Sequence, residues 1–245
     1  AVDAALPLAE QHRAASGALS GVLFASTSAP HTETSCASLL ASACDVPPER
    51  LRTTDLGASR RAGVQAMLAA LERLLADRES ADALVAAAHA RLPQSASDRS
   101  ETPSDGASAQ AEGRAASGKT PGDAAAAVIL GRASLAAELL GTRSVAADVA
   151  DILQTGGDPV LRPGEAAAFV PVTRAAIAGA LTNANVQIAD VAGFAIGAPS
   201  TAAANALLKA AGADPTRLAP LFDDVIGHTG AAHTTAARSE CGLLS

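Results

Sequence analysis

The chain has 245 residues, 49% of them hydrophobic and 18% charged, with a net charge of −7. That is globular material, enough for one large or two small domains, and with no basic stripe it argues against a nucleic-acid partner. No apolar run approaches the ~18 residues of a membrane span, and no basic-then-apolar leader opens the sequence.

In chain order, Ala1 to Ala15 reads as a helix, and "GVLFAS" (Gly21–Ser26) as a short buried strand bounded by small residues. "SCASLLASAC" (Ser35–Cys44) follows as a small helix stopped by Pro47 and Pro48. "RLRTTDL" (Arg50–Leu56) is a strand. Ala58 to Ala76 is a long helix, with Val64, Met67, Leu68, Leu71 and Leu75 expected on its buried side. "DALVAAA" (Asp82–Ala88) is a further buried strand. This alternation predicts an α/β protein with a largely parallel sheet covered on both faces.

Residues 94–122 are rich in Ser, Ala, Gly, Asp and Pro, and bury too little to offset their ordering entropy; we read them as a polar excursion. Within them, "GRAASGKT" (Gly113–Thr120) fits a phosphate-binding loop literally. The real motif follows a buried strand and opens a helix, and here Pro121 and Gly122 cut any helix short, so nucleotide binding is rejected. Beyond the excursion, Asp123–Gly131 reads as a strand, while Ser134–Leu153 gives mixed signals. Ala166–Val186 reads as a helix, Val191–Gly197 as a strand, Thr201–Gly212 as a helix, and Leu221–His233 as a strand entering a turn.

Trp and Tyr are absent and only four Phe occur, so Ala, Leu and Val must build the core and the elements must approach closely. The three cysteines, Cys36, Cys44 and Cys241, lack CxxC spacing, which suggests a reducing cytoplasm and buried small side chains. His228 and His233 stand five apart and share no helical face, and His89 has no partner in the sequence, so each reads as structural and no metal site is expected.

The segments "DLGASRRAGVQAMLAALERLL", "ALVAAAHARLP", "GDAAAAVILGR", "VAGFAIGAPSTAAANALLKAAGADPTRL" and "VIGHTGAAH" come in an order that resembles the thiolase superfamily. The nearest likeness is to its 3-hydroxy-3-methylglutaryl-CoA synthase and ketoacyl synthase III branch. The resemblance implies a layered α-β-α-β-α sandwich of two similar halves, here 1–132 and 133–245, incomplete at both ends. It also implies Claisen chemistry with acyl-CoA as candidate substrate and no covalently bound cofactor. In that family a cysteine at a strand-to-helix turn is activated by the helix N-terminus, while His and Asn stabilise the developing oxyanion.

Carried over residue by residue, the family's nucleophile falls on Arg60, its His on Gly197 and its Asn on His228. An arginine stays charged and forms no acyl-enzyme. Ser59 is the alternative nucleophile, with His228 as its partner, although a helix N-cap is the simpler role for this serine. Arg61 is a candidate contact for a CoA phosphate. The resemblance therefore implies a catalytically degenerate subunit of an acyl-CoA condensing or acyltransferase complex. Its partner would be another thiolase-fold chain, met near "RLRTTDL", or a zinc-ribbon/OB-fold acyl-CoA-binding protein. The alternative is an active acyltransferase or carbon–carbon bond enzyme with a non-standard site at Ser59 and His228.

Overall fold

The structure, a computed structural model, describes residues 1–15, 17–29, 33–49, 51–57, 61–79, 81–90, 124–132, 137–146, 166–198 and 201–219. They form two compact units, within 1–132 and 137–219. The sequence readings at 94–122 and at Leu221–His233 lie outside the described residues.

Unit 1 runs α1 (Val2–Ala14), β1 (Leu19–Ser26), α2 (Cys36–Ala43), β2 (Arg52–Leu56), α3 (Ala62–Ala76), β3 (Asp82–His89) and β4 (Ala124–Leu130). Its four-stranded sheet has the order β2-β1-β3-β4. β1 lies parallel to both β2 and β3, whereas β4 pairs antiparallel to β3. The three strands of the alternation are parallel as expected, and β4 adds an antiparallel edge.

Alternation along β1 explains its unbroken apolar sequence. Val22 and Phe24 pack with α1 and α2, joined by Leu84 and Ala86 of β3. Leu23 and Ala25 pack with α3, joined by Ala83, Val85 and Ala87. A strand covered on both faces needs apolar residues at every position. The two crossovers leave β1 and β2 in opposite directions across the sheet, and their right-handedness puts α2 and α3 on opposite faces.

The helices meet the sheet through small residues. On α3 the buried positions are Ala62, Gly63, Ala66, Met67, Ala70 and Leu74. This corrects the expected face: Val64, Leu68 and Leu71 are only half-buried, and Leu75 is 80% exposed. The alanine stripe, not the leucine stripe, faces the strands, because without large aromatics the core fills only when helix and sheet approach closely.

Unit 2 contains α4 (Ala166–Ala184) and α5 (Thr201–Ala210), with 3-10 turns at Ile188–Asp190 and Pro215–Arg217. Residues 137–146 have no regular secondary structure and run against α4. Asn183 Nδ2 donates to the Thr142 carbonyl at 2.7 Å, and a Cβ on Gly141 would come within 2.6 Å of the Ala184 nitrogen, so only glycine fits that approach. α5 ends before Gly212, whose φ of +82° suits the residue after a helix. The strand expected at Val191–Gly197 is reduced to a single parallel bridge, Phe194 to Leu218. The segment is apolar enough for a strand, but among the described residues no neighbouring strand extends the pairing.

Candidate functional site

In unit 1 the carboxyl ends of β1, β2 and β3 share one edge of the sheet, because these strands run parallel. Ligands of open α/β sheets bind outside such an edge, where the strand order reverses. Here the chain steps from β1 to β2 on one side and then returns past β1 to β3.

A cleft of about 280 Å³ opens on this edge. Phe24 contributes to it from β1, Asp55, Leu56 and Gly57 from the end of β2, and Ser35 and Cys36 from the start of α2. The wall is built by capping. Ser35 Oγ accepts from the Ser38 amide at 3.2 Å, closing the first turn of α2 as an N-cap serine does. Asp55 Oδ1, from the neighbouring strand, accepts from the Ala37 amide at 2.8 Å. A carboxylate here also complements the positive end of the helix dipole. Asp55 is therefore a strand-end residue that caps the preceding helix, α2. Cys36 is half-buried on the cleft wall. Cys44, at the far end of α2, is fully buried; burial pushes its thiol up, and the Arg13 guanidinium nearby offsets this in part.

The same edge carries a second feature that the sequence did not reveal. Thr27 Oγ1 and His89 Nδ1 lie 2.8 Å apart, joining the residue after β1 to the last residue of β3. His89, expected to stand alone, has a hydroxyl partner. The signal in the sequence was the Ser-Thr-Ser run at 26–28 directly after a buried strand, but its partner is 62 positions away.

The resemblance sets the nucleophile position at Arg60, between β2 and α3 in the sequence. Ser59 and Arg60 lie outside the described residues, as does His228. α3 begins at Ala62 rather than Ala58, with Arg61 exposed at its N-cap and making no side-chain capping bond. Gly197 is an exposed residue of unit 2, between the Phe194 bridge and α5. Among the described residues no group of three or more His, Cys, Asp or Glu side chains is placed to hold a metal ion. No described helix is long and apolar enough to cross a membrane.

This order of strands and helices has close counterparts among solved structures. Ketoacyl synthase III (3-oxoacyl-acyl-carrier-protein synthase III) of Aquifex aeolicus matches with a TM-score of 0.66 at 18% identity, over 91% of this chain and 67% of that one. OleA of Xanthomonas campestris, in a variant form, matches with a TM-score of 0.72 at 19% identity, over 97% of this chain and 72% of that one. FabH of Pseudomonas aeruginosa, also a 3-oxoacyl-(acyl carrier protein) synthase III, gives a TM-score of 0.65 at 19% identity, over 97% and 73%. The fold is thiolase-like. Unit 1 supplies an α-β-α share of the thiolase-like sandwich. No protein-family model matches the chain, and no curated protein matches it in sequence.

Proposed function

We propose that the chain is a thiolase-fold subunit that supports an acyl-CoA condensing or acyltransferase complex without forming the family's covalent acyl-enzyme. The observation that carries this reading is the pair Arg60-Arg61 at the turn between β2 and α3, where thiolase-like condensing enzymes place their cysteine. A guanidinium has no accessible lone pair with which to attack a thioester. Two cations where the chain enters a helix attract the phosphates of an acyl-CoA instead. An OleA structure from Xanthomonas campestris contains lauric acid and lauroyl-CoA, which makes a long-chain acyl-CoA the first ligand to try.

The partner in this reading is a second thiolase-fold chain. Its support is the position of β2, which lies at the end of the strand order and pairs only with β1 among the described residues. An edge strand with unpaired amides is covered most simply by another strand.

Two measurements test the reading. Calorimetry with lauroyl-CoA should show saturable binding that weakens at least about threefold in Arg61→Ala, and sedimentation should show a dimer or a larger assembly. A chain that sediments as a monomer and takes up no acyl-CoA would overturn it.

A further inference from the structure

The register of the sheet sets Ala25 beside Ala87 and Ser26 beside Ala88. One step further, where the strands leave the sheet, Thr27 comes level with His89. Their side chains meet at 2.8 Å between Oγ1 and Nδ1. Thr27 is exposed and His89 half-buried, so the hydroxyl is open to solvent while the imidazole is partly sheltered.

Both loops are held in place. Ser26 is only 4% exposed, and its Oγ accepts from the Ser28 amide at 3.0 Å, which fixes the turn around Thr27. Ser28 Oγ accepts from the Ala90 amide at 2.9 Å, a second tie between the two strand ends. A hydroxyl and an imidazole fixed within hydrogen-bond reach are the elements of an activated nucleophile. Their place, at the carboxyl ends of the two strands flanking the reversal of strand order, is where such sheets receive ligands.

We propose that Thr27 is an acyl-accepting nucleophile and His89 its general base, at a site distinct from the turn at 58–61. The substrate class is an activated acyl compound, an ester or a thioester; only the choice of a thioester rests on the function proposed above. In the tautomer with its proton on Nε2, His89 Nδ1 accepts from the Thr27 hydroxyl. Thr27 Oγ1 attacks the carbonyl carbon and its proton passes to Nδ1. The bond from that carbon to the leaving oxygen or sulfur breaks, and the leaving anion takes the proton back from the imidazolium. The products are O-acyl-threonine and a free alcohol or thiol, with no oxidant or further reactant required.

The test uses the full chain with p-nitrophenyl acetate, reading p-nitrophenolate release and locating the acetyl group by peptide mass mapping. The expected result is acetyl on Thr27, with release at least about tenfold slower in Thr27→Val and in His89→Gln and retained within about threefold in Thr27→Ser. Melting curves identify any variant that fails to fold, and acetyl mapping on the parent chain and on Thr27→Ser decides the matter without it. Thr27 unmodified in the parent, with acetyl on Cys36 or elsewhere, overturns the assignment, as does unchanged release in folded Thr27→Val and His89→Gln. The aryl ester contains no CoA and needs no partner chain. Failure here leaves the acyl-CoA reading standing, and failure of lauroyl-CoA binding leaves Thr27 acetylation standing.

Discussion

The two edges of the unit 1 sheet are built from different chemistry. At the amino-end edge, charged side chains reach across to close the structure. Arg73 of α3 donates from Nη2 to the Ser20 carbonyl at 2.6 Å, and Ser20 Oγ donates to the Ala81 carbonyl at 2.7 Å. His12 Nε2 and Asp82 Oδ2 lie 3.4 Å apart, tying α1 to the start of β3. At the carboxyl-end edge the ties are short and mostly neutral: Thr27 to His89, the Ala90 amide to Ser28, and the Ala37 amide to Asp55. The long Arg73 side chain crosses the amino-end edge, while at the carboxyl-end edge Ser35 and the capping carboxylate of Asp55 line a cleft. The first edge stores stability and the second offers room for a ligand.

Substitutions can break or sharpen that contrast. The largest effect is expected at the core that both edges share. Leu84 is fully buried, so Leu84→Ala should cost about 2–5 kcal/mol in urea unfolding. At the amino-end edge, Arg73→Ala leaves the Ser20 carbonyl without its donor and should cost about 1–3 kcal/mol. That variant should leave acetylation of Thr27 unchanged, because it acts at the opposite edge. At the carboxyl-end edge, Asp55→Ala removes a cap from α2 and should cost about 1 kcal/mol, with Asp55→Asn recovering most of it. Leu75→Glu, at a position 80% exposed, should fall within about 0.5 kcal/mol of the parent despite replacing a leucine.

Alkaline titration gives a separate check on the packing of α2. Because burial raises the Cys44 thiol above its ordinary value, the folded chain holds that proton more tightly than the unfolded chain does. This contribution is fully present at neutral pH and is lost as pH rises past about 9. The stability gap between the parent and Cys44→Ala should therefore narrow in alkaline urea titrations.

Much of unit 1 was legible because its elements announce themselves locally. "GVLFAS" and "DALVAAA" are continuous apolar runs between small polar residues, and both form strands. "VAGFAIG" has the same signature yet gives only the Phe194 bridge, because a strand is completed by a neighbour and not by its own composition. The face of α3 was misjudged for a related reason. Hydrophobicity favours its leucines, but close packing selects Ala62, Ala66 and Ala70. Cys36 could be placed at the start of a helix from sequence, and its position on a cleft wall could not. The Thr27–His89 pair was hidden because its two halves are joined only by strand register.

The proposed function turns on Arg60 and Arg61, which stand between β2 and α3 where the resemblance would place a nucleophilic cysteine. Incubation with lauroyl-CoA followed by site-mapped mass spectrometry tests this most directly. The account predicts that residues 58–61 and all three cysteines remain unmodified. A stable acyl group on Ser59 or on any cysteine would contradict it.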